Sequence, residues 1–228
     1  MLLALTQKSP ELLATEIKTA QSLLISGCSG KVGVNLTILP VFSQVDYGAY
    51  VDAIIASGVD IVETAGRPPG EFIARFKKHN IKIIHKCVTT RHAKSAEKMG
   101  ADAISLDGFE CAGHPGEEDI GNFILQAMGA RELTVPYVTS GGIANGRQLA
   151  AALALGASGV NMGTRFMATK EAPVHANIKK ALVDGGAGST TLIMRTVKNT
   201  ERVYKNETAL KVQQIESQFP GLSTVFTI

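Results

Sequence analysis

The chain alternates short apolar runs with longer stretches in which apolar residues recur every three or four positions. The runs are apolar at successive positions, which is typical of strands buried on both faces of a parallel sheet. They span residues 2–5, 33–36, 61–63, 81–87, 103–106, 137–140 and 159–162. The stretches between them predict helices over residues 9–24, 47–57, 70–79, 93–99, 117–130 and 146–155. This order predicts an α/β fold.

Several of the repeating units end in the same way. Ala56-Ser57-Gly58, Lys98-Met99-Gly100 and Ala154-Leu155-Gly156 each place a glycine just after a predicted helix and before the next strand. Glycine at this position ends a helix because it adopts a left-handed conformation easily. The recurrence has a βα period, and it favours a barrel of the (β/α)8 type over an antiparallel or all-helical fold.

The strand count predicts an incomplete barrel. We count seven strands where a closed barrel of this type has eight, and we expect the first βα unit to be missing. After Pro173 the pattern weakens into two extended segments, residues 190–196 and 201–204, and a helix over 209–217. We therefore predict a barrel domain over residues 1–172 and a partial small second domain over residues 173–228.

Composition excludes several classes of partner. The 228 residues carry 23 Lys and Arg against 20 Asp and Glu, too small an excess to favour nucleic acid or an anionic membrane. The three cysteines lack CxxC spacing, which disfavours a disulfide framework or a zinc site and fits the reducing cytoplasm. No apolar segment reaches membrane-spanning length.

The segment Asp107-Gly108-Phe109-Glu110-Cys111-Ala112-Gly113-His114-Pro115-Gly116 follows a buried strand; we call it the glycine–histidine loop. Working residues of a βα barrel lie at such strand ends, and a histidine there is a candidate for proton transfer near neutral pH. His114 could alternatively cap a helix that starts near Glu117. Glu110 or Glu117 could orient the histidine or bind water.

Two glycine-bearing turns predict a phosphate site. Ser140-Gly141-Gly142 and Gly163-Thr164 end the last two strands, where phosphate-binding barrels hold the phosphate on backbone N–H groups. Lys86 ends another strand and could place positive charge beside a ligand that gains negative charge, such as a reduced flavin ring. By strand alternation, the neighbouring His85 should point away from the pocket.

Together these residues resemble the nitronate monooxygenase family of FMN-dependent barrels. The matching stretches are Gly33-Val34-Asn35-Leu36-Thr37, the glycine–histidine loop, Ser140-Gly141-Gly142 and Asn161-Met162-Gly163-Thr164-Arg165-Phe166. The loop variant, with His85-Lys86-Cys87 upstream, is most similar to the NADH:quinone reductase subgroup. Family members usually begin with a first strand followed by a glycine-rich stretch, which this chain lacks, and they continue beyond its end, so we expect a chain shortened at both ends.

The resemblance implies an FMN site and a catalytic histidine. The implied catalytic residue is His114, at the substrate face of the flavin. The predicted FMN-binding residues are the contacts that the resemblance implies together with the glycines of the two phosphate turns. They are Asn35, Lys86, Asp107, Ala112, Gly113, Ser140, Gly141, Gly142, Gly163 and Thr164. NAD(P)H is the implied co-substrate, a quinone or a nitronate is the implied substrate, and a homodimer is one option for the oligomeric state.

Four functions stay open at this point. The leading hypothesis is an FMN-dependent NAD(P)H:quinone reductase, and the first alternative is a nitronate monooxygenase that oxidises alkyl nitronates with O₂. The others are a truncated, inactive paralogue and a phosphate-binding barrel enzyme without flavin.

Overall fold

A computed structural model describes residues 1–38 and 45–219 of the chain. Within these ranges the strands are β1 Leu2–Leu3, β2 Gly33–Ile38, β3 Ile61–Gly66, β4 Lys82–Cys87, β5 Ala103–Asp107, β6 Tyr137–Ser140, β7 Gly159–Asn161, β8 Thr190–Ile193 and β9 Glu201–Tyr204. The α-helices are α1 Pro10–Ser22, α2 Tyr47–Ala56, α3 Gly70–Lys78, α4 Thr90–Met99, α5 Asn122–Glu132, α6 Gly146–Ala154, α7 Thr164–Met167, α8 Ala176–Asp184 and α9 Glu207–Gln218. None of these helices is long and apolar enough to cross a membrane.

All seven predicted apolar runs form strands. Their order in the sheet follows the chain from β1 to β7, and the pairs β1–β2, β2–β3, β3–β4 and β6–β7 are parallel. Parallel neighbours need a crossover connection, and helices supply it between successive strands. The predicted α/β class is confirmed.

The chain divides into two compact units. The first contains the described residues of Met1–Cys87 together with Arg91–Ser105 and Leu133–Pro136. The second contains Val88–Thr90, Leu106–Glu132 and the described residues from Tyr137 onward. The predicted domain boundary after residue 172 falls inside the second unit and stays a prediction; residues 220–228 of the predicted small domain lie outside the described part.

The core of the first unit lies between its strands and helices. Val34, Val62 and Ile83, from β2, β3 and β4, pack in one buried cluster with helix residues that include Ile54 and Phe76. Burying a side chain of this size stabilises the fold by roughly 1.5–3 kcal/mol. Because side chains alternate along a strand, the residues between these apolar positions face away from the helices.

Local signals set the helix ends in the first unit. Ser9 Oγ accepts a hydrogen bond from the Leu12 backbone N–H at 3.3 Å, and Pro10 is the first residue of α1. This is the start that the sequence predicts. Positive φ values of 66° at Gly58, 103° at Gly100 and 99° at Gly156, the last of these in the second unit, confirm the predicted glycine ends.

The second unit contains a hairpin beyond the strands of the large sheet. Strands β8 and β9 pair antiparallel, and we call residues 190–204 the C-terminal hairpin. Helix α9 is joined to it by Gln213, whose Nε2 donates to Thr191 Oγ1 at 2.6 Å and to the Leu192 carbonyl at 2.9 Å. The sequence predicted the hairpin strands and α9 but missed α8.

The largest error in a predicted helix start is at α5, whereas α4 begins three residues earlier than predicted, at Thr90. The helix predicted over residues 117–130 begins at Asn122. Asp119 has a φ of +51°, which is incompatible with a right-handed helix. Glu117, the predicted first residue, instead accepts hydrogen bonds from the Thr200 backbone N–H at 2.9 Å and from Thr200 Oγ1 at 2.6 Å.

His85 should make the stability of the protein depend on pH. Burial lowers its pKa from 6.5 to about 4, helped by the charge of His92 and opposed by a hydrogen bond with the Thr64 backbone. As the pH falls below about 6.5, the unfolded chain therefore binds a proton that the folded chain binds only near pH 4. The free energy of unfolding should decrease across this window, by about 2–3 kcal/mol at pH 4.5.

Urea unfolding of the wild type and of His85→Gln at pH 7 and pH 4.5 measures this contribution. Glutamine can still accept a hydrogen bond but does not titrate, so the variant should lose about 2–3 kcal/mol less than the wild type between the two pH values. The exposed His79, replaced by glutamine, is the matched control and should behave as the wild type. Equal pH dependence in His85→Gln would contradict the assignment.

Candidate active site

Near their ends, the strands of the first unit present polar side chains on the face opposite the helices. Asn35 pairs with Glu63 across β2 and β3, and Glu63 pairs with Ile84 across β3 and β4. Lys86 follows Ile84 by two positions and therefore lies on the same face. Asn35 and Glu63 are buried. Two of the predicted FMN-binding residues, Asn35 and Lys86, thus share one face of the unit, as expected for groups that serve one ligand.

Asn35 is held in place by its neighbours. Its Nδ2 donates a hydrogen bond to Glu63 Oε2 at 2.6 Å, and its Oδ1 accepts one from Thr37 Oγ1 at 2.7 Å. These bonds fix the amide orientation and leave one N–H of the amide for another acceptor. Glu63 therefore positions the Asn35 side chain.

His85 lies on the other face of β4. Its Nδ1 is 2.8 Å from Thr64 Oγ1, and its side chain is buried. Ile83, two positions earlier, packs in the helix-side core. The predicted orientation of His85, away from the face that carries Lys86, is confirmed.

In the second unit, the glycine–histidine loop leaves β5 and is tied to the end of β6. Asp107 is buried at the strand end, and the Gly108 N–H donates to the Ser140 carbonyl at 2.9 Å. The Cys111 N–H closes a turn on the Gly108 carbonyl at 2.9 Å, and the Cys111 side chain is buried as packing material. Beyond this turn, residues 112–114 are exposed.

Asn122 joins three segments of the second unit through one buried amide. Its Nδ2 donates to the Ser140 and Gly141 carbonyls at 3.0 and 2.8 Å, and its Oδ1 accepts from Thr139 Oγ1 at 2.6 Å. Its backbone N–H donates to Glu110 Oε2 at 2.9 Å. The same residue therefore begins α5, anchors the loop and holds the turn after β6. Sequence reasoning missed it, because nothing in the local pattern marks a buried asparagine as a hub.

The carboxylates near His114 have separate partners. Glu110 caps the first N–H of α5, and Glu117 binds Thr200, so neither of the two predicted candidates is the partner of His114 in the described contacts. His114 Nε2 lies 3.2 Å from Glu201 Oε1, on β9 of the C-terminal hairpin. The alternative in which His114 caps the following helix is wrong, since α5 begins eight residues later and is capped by Glu110.

The two predicted phosphate turns lie side by side in the second unit. Strands β6 and β7 are parallel neighbours, and Ser140 is paired with Asn161 at their carboxyl ends. The turn Ser140-Gly141-Gly142 therefore follows the end of β6, and residues 162–164 follow the neighbouring end of β7. Gln148 of α6 spans the first turn, accepting from the Ala144 N–H at 2.8 Å and donating to the Gly142 carbonyl.

The glycines of these turns serve different purposes. Gly141 has a φ of +97°, and a Cβ there would lie 2.9 Å from the Cys111 backbone nitrogen, so the protein itself requires glycine. Gly163 has an ordinary φ of −93°, and a Cβ there would meet no protein atom within 4 Å. Its missing side chain therefore leaves open space beside the backbone, which fits a bound phosphate group.

The geometry of the second unit combines an exposed histidine paired with a carboxylate and an adjacent glycine-bearing edge. The exposed loop carries Ala112, Gly113 and His114, and the ends of β6 and β7 carry Ser140, Gly141, Gly142, Gly163 and Thr164. A histidine side chain can serve as a general acid or base, and open backbone at a strand edge can bind an anion.

The nitronate monooxygenase family model matches residues 11–225. The chain belongs to this family. A solved structure of FabK from Thermotoga maritima superimposes with a TM-score of 0.82 at 30% identity, over 92% of this chain and 65% of that one. The predicted fold class, an α/β fold of the (β/α)8-barrel type, is confirmed.

Two curated proteins that are similar to this chain have different names. A Rhodococcus jostii protein named (3aS,4S,5R,7aS)-5-hydroxy-7a-methyl-1-oxo-octahydro-1H-indene-4-carboxyl-CoA dehydrogenase is 34% identical over 157 residues, which cover 69% of this chain and 44% of the relative. A nitronate monooxygenase of Paraburkholderia phytofirmans is 35% identical over 133 residues, covering 55% of this chain and 36% of the relative. The chain spans about half the length of the curated relatives it matches.

Replacing Asn122 with alanine should destabilise the protein strongly. The change removes three buried side-chain hydrogen bonds and leaves the Thr139 hydroxyl and two carbonyls without this partner, at a cost of about 3 kcal/mol. Asn145→Ala is the control, because this exposed residue only caps α6 and its loss costs about 1 kcal/mol. Chemical denaturation measures both, and similar losses in the two variants would show that Asn122 is not the hub.

Proposed function

We propose that this member of the nitronate monooxygenase family is an FMN-dependent oxidoreductase whose phosphate site is the paired turns after β6 and β7. The observation that carries this proposal is the open space at Gly163, next to the backbone turn after Ser140. A phosphate held there would accept hydrogen bonds from backbone N–H groups, and a Cβ at Gly163 would occupy part of its volume. Bound FMN would supply the two-electron redox chemistry.

His114 is the proposed catalytic residue. Its side chain is 43% exposed, so a substrate can reach it, and its loop is anchored by backbone hydrogen bonds at Gly108 and at Gly113. In a nitronate oxidiser it would take a proton from the substrate or orient the nitronate, and in a quinone reductase it would position the quinone or the nicotinamide. Asn35 and Lys86 of the first unit stay predicted FMN contacts.

We favour NAD(P)H:quinone reduction as the reaction, because the glycine–histidine loop is most similar to that subgroup. Oxidation of alkyl nitronates with O₂ is the alternative, supported by the name of the Paraburkholderia relative. Because the Rhodococcus relative is named a carboxyl-CoA dehydrogenase, a CoA thioester should also be tested as a substrate. We infer a cytoplasmic location from the cysteine pattern and the family.

Gly163→Ala should weaken FMN binding without weakening the fold. The new methyl group fits the backbone and meets no protein atom, so the melting temperature should stay unchanged, while the Kd for FMN should rise on the order of 10-fold, equivalent to about 1.4 kcal/mol. Flavin absorbance and fluorescence titrations measure binding. Riboflavin, which lacks the phosphate, should bind both proteins equally.

Gly70→Ala is the matched control for this experiment. Gly70 begins α3, and a Cβ there also meets no atom within 4 Å; this variant should bind FMN as the wild type does. A wild-type chain that binds no flavin would contradict the proposed function. Equal FMN affinity in Gly163→Ala would contradict the phosphate site while leaving flavin binding intact.

His114→Gln should lower kcat on the order of 100-fold while the flavin spectrum is retained, since a positioned acid–base group contributes roughly 10²–10⁴-fold. The exposed His79, replaced by glutamine, is the control. NADH oxidation with and without a quinone, nitronate-dependent O₂ uptake and CoA-thioester turnover are measured on each protein. Full activity in His114→Gln with every substrate would exclude a catalytic role for this histidine.

A further inference from the structure

We propose that Glu201, on the C-terminal hairpin, is the positioning residue for His114. The inference rests on the proposed function, in which His114 contacts the substrate. The nitrogen that faces Glu201 is Nε2, 3.2 Å from the carboxylate oxygen Oε1. A carboxylate only accepts hydrogen bonds, so we assign the ring hydrogen to Nε2, the nitrogen that faces Glu201.

This contact determines which ring nitrogen can react. In the neutral imidazole, one nitrogen carries the hydrogen and the other has the free lone pair. With the hydrogen of His114 held on Nε2 by Glu201, the lone pair is on Nδ1. A proton that leaves the substrate would bind to Nδ1, Nε2 would keep its own hydrogen, and the carboxylate would stabilise the positive ring that results.

The backbone on both sides of the contact is fixed. Gly113 and Arg202, the chain neighbours of His114 and Glu201, form an antiparallel bridge. The Gly113 N–H donates to the Arg202 carbonyl at 3.1 Å, and the Arg202 N–H donates to the Gly113 carbonyl at 2.7 Å. The two residues are therefore brought close together by a main-chain register.

Side chains of the hairpin fix the rest of the loop. The Arg202 guanidinium donates from Nη2 to the Phe109 carbonyl at 2.9 Å and lies 4.7 Å from the centroid of the Phe109 ring. Thr200 binds Glu117 on the other side of His114. Three successive hairpin residues, Thr200, Glu201 and Arg202, thus contact the loop or the residue that follows it, and Glu201 is the one that reaches the histidine.

The first test is spectroscopic and needs neither flavin nor turnover. In the full 228-residue chain labelled with ¹⁵N-histidine, at about pH 8.5, well above the ordinary imidazole titration range, His114 should show a protected ring N–H on Nε2. This resonance should be lost in Glu201→Ala, which removes the acceptor, and kept in Glu171→Ala, which removes an exposed carboxylate elsewhere. His114→Gln assigns the signal. A hydrogen on Nδ1, or an unchanged signal in Glu201→Ala, would overturn the proposal.

The second test is kinetic. Glu201→Gln should lower kcat on the order of 10-fold with little change in KM or in the flavin spectrum, since a misplaced catalytic group costs rate more than binding. Glu201→Asp should recover part of the loss, and Glu171→Gln should be fully active. An unchanged kcat in Glu201→Gln would overturn the positioning role. Absence of flavin binding or activity in the wild type would refute the proposed function but not the contact between Glu201 and His114. The measurement of the ring N–H tests that contact independently.

Discussion

The alternation of side chains along parallel strands is the constraint on which the first unit depends. Val34, Val62 and Ile83 face the helices and form the core, so the positions next to them must face the other way. Asn35 and Glu63 occupy two of these positions, and their short hydrogen bond is formed on the face opposite the helices. One sequence pattern thus produces both the stability of the unit and the place of its polar groups.

The second unit depends on contacts that no strand pattern encodes. Asn122 links α5 to the end of β6, and the C-terminal hairpin holds the glycine–histidine loop from the other side. Loops that carry functional residues need such support, because their own backbone groups have few partners within the loop. The hairpin is therefore more than an appendage, since it supplies the partner of the candidate catalytic histidine.

Sequence reasoning succeeded where the physical cause is local. Buried parallel strands are apolar at successive positions, so all seven were predicted, and the Ser9-Pro10 start of α1 follows from capping alone. It failed where the cause is distant along the chain. The start of α5 is set by the Glu110 carboxylate and by a positive φ at Asp119, and the partner of His114 lies on a hairpin strand whose only local signal is extended structure. A carboxylate such as Glu201 looks like any other charged strand residue until the register of the hairpin is known.

The glycines illustrate why a motif alone does not identify a ligand site. Gly141 and Gly163 lie in the two turns that predicted a phosphate site, yet they are glycine for different reasons. At Gly141 the backbone of the loop fills the space that a Cβ would need, so this glycine would be required with or without a ligand. At Gly163 both the backbone angle and the surrounding space would accept alanine. Gly70 has equally open surroundings, so open space alone does not identify a ligand site. The argument for a bound phosphate depends on the open space at Gly163 together with its place beside the turn that follows Ser140.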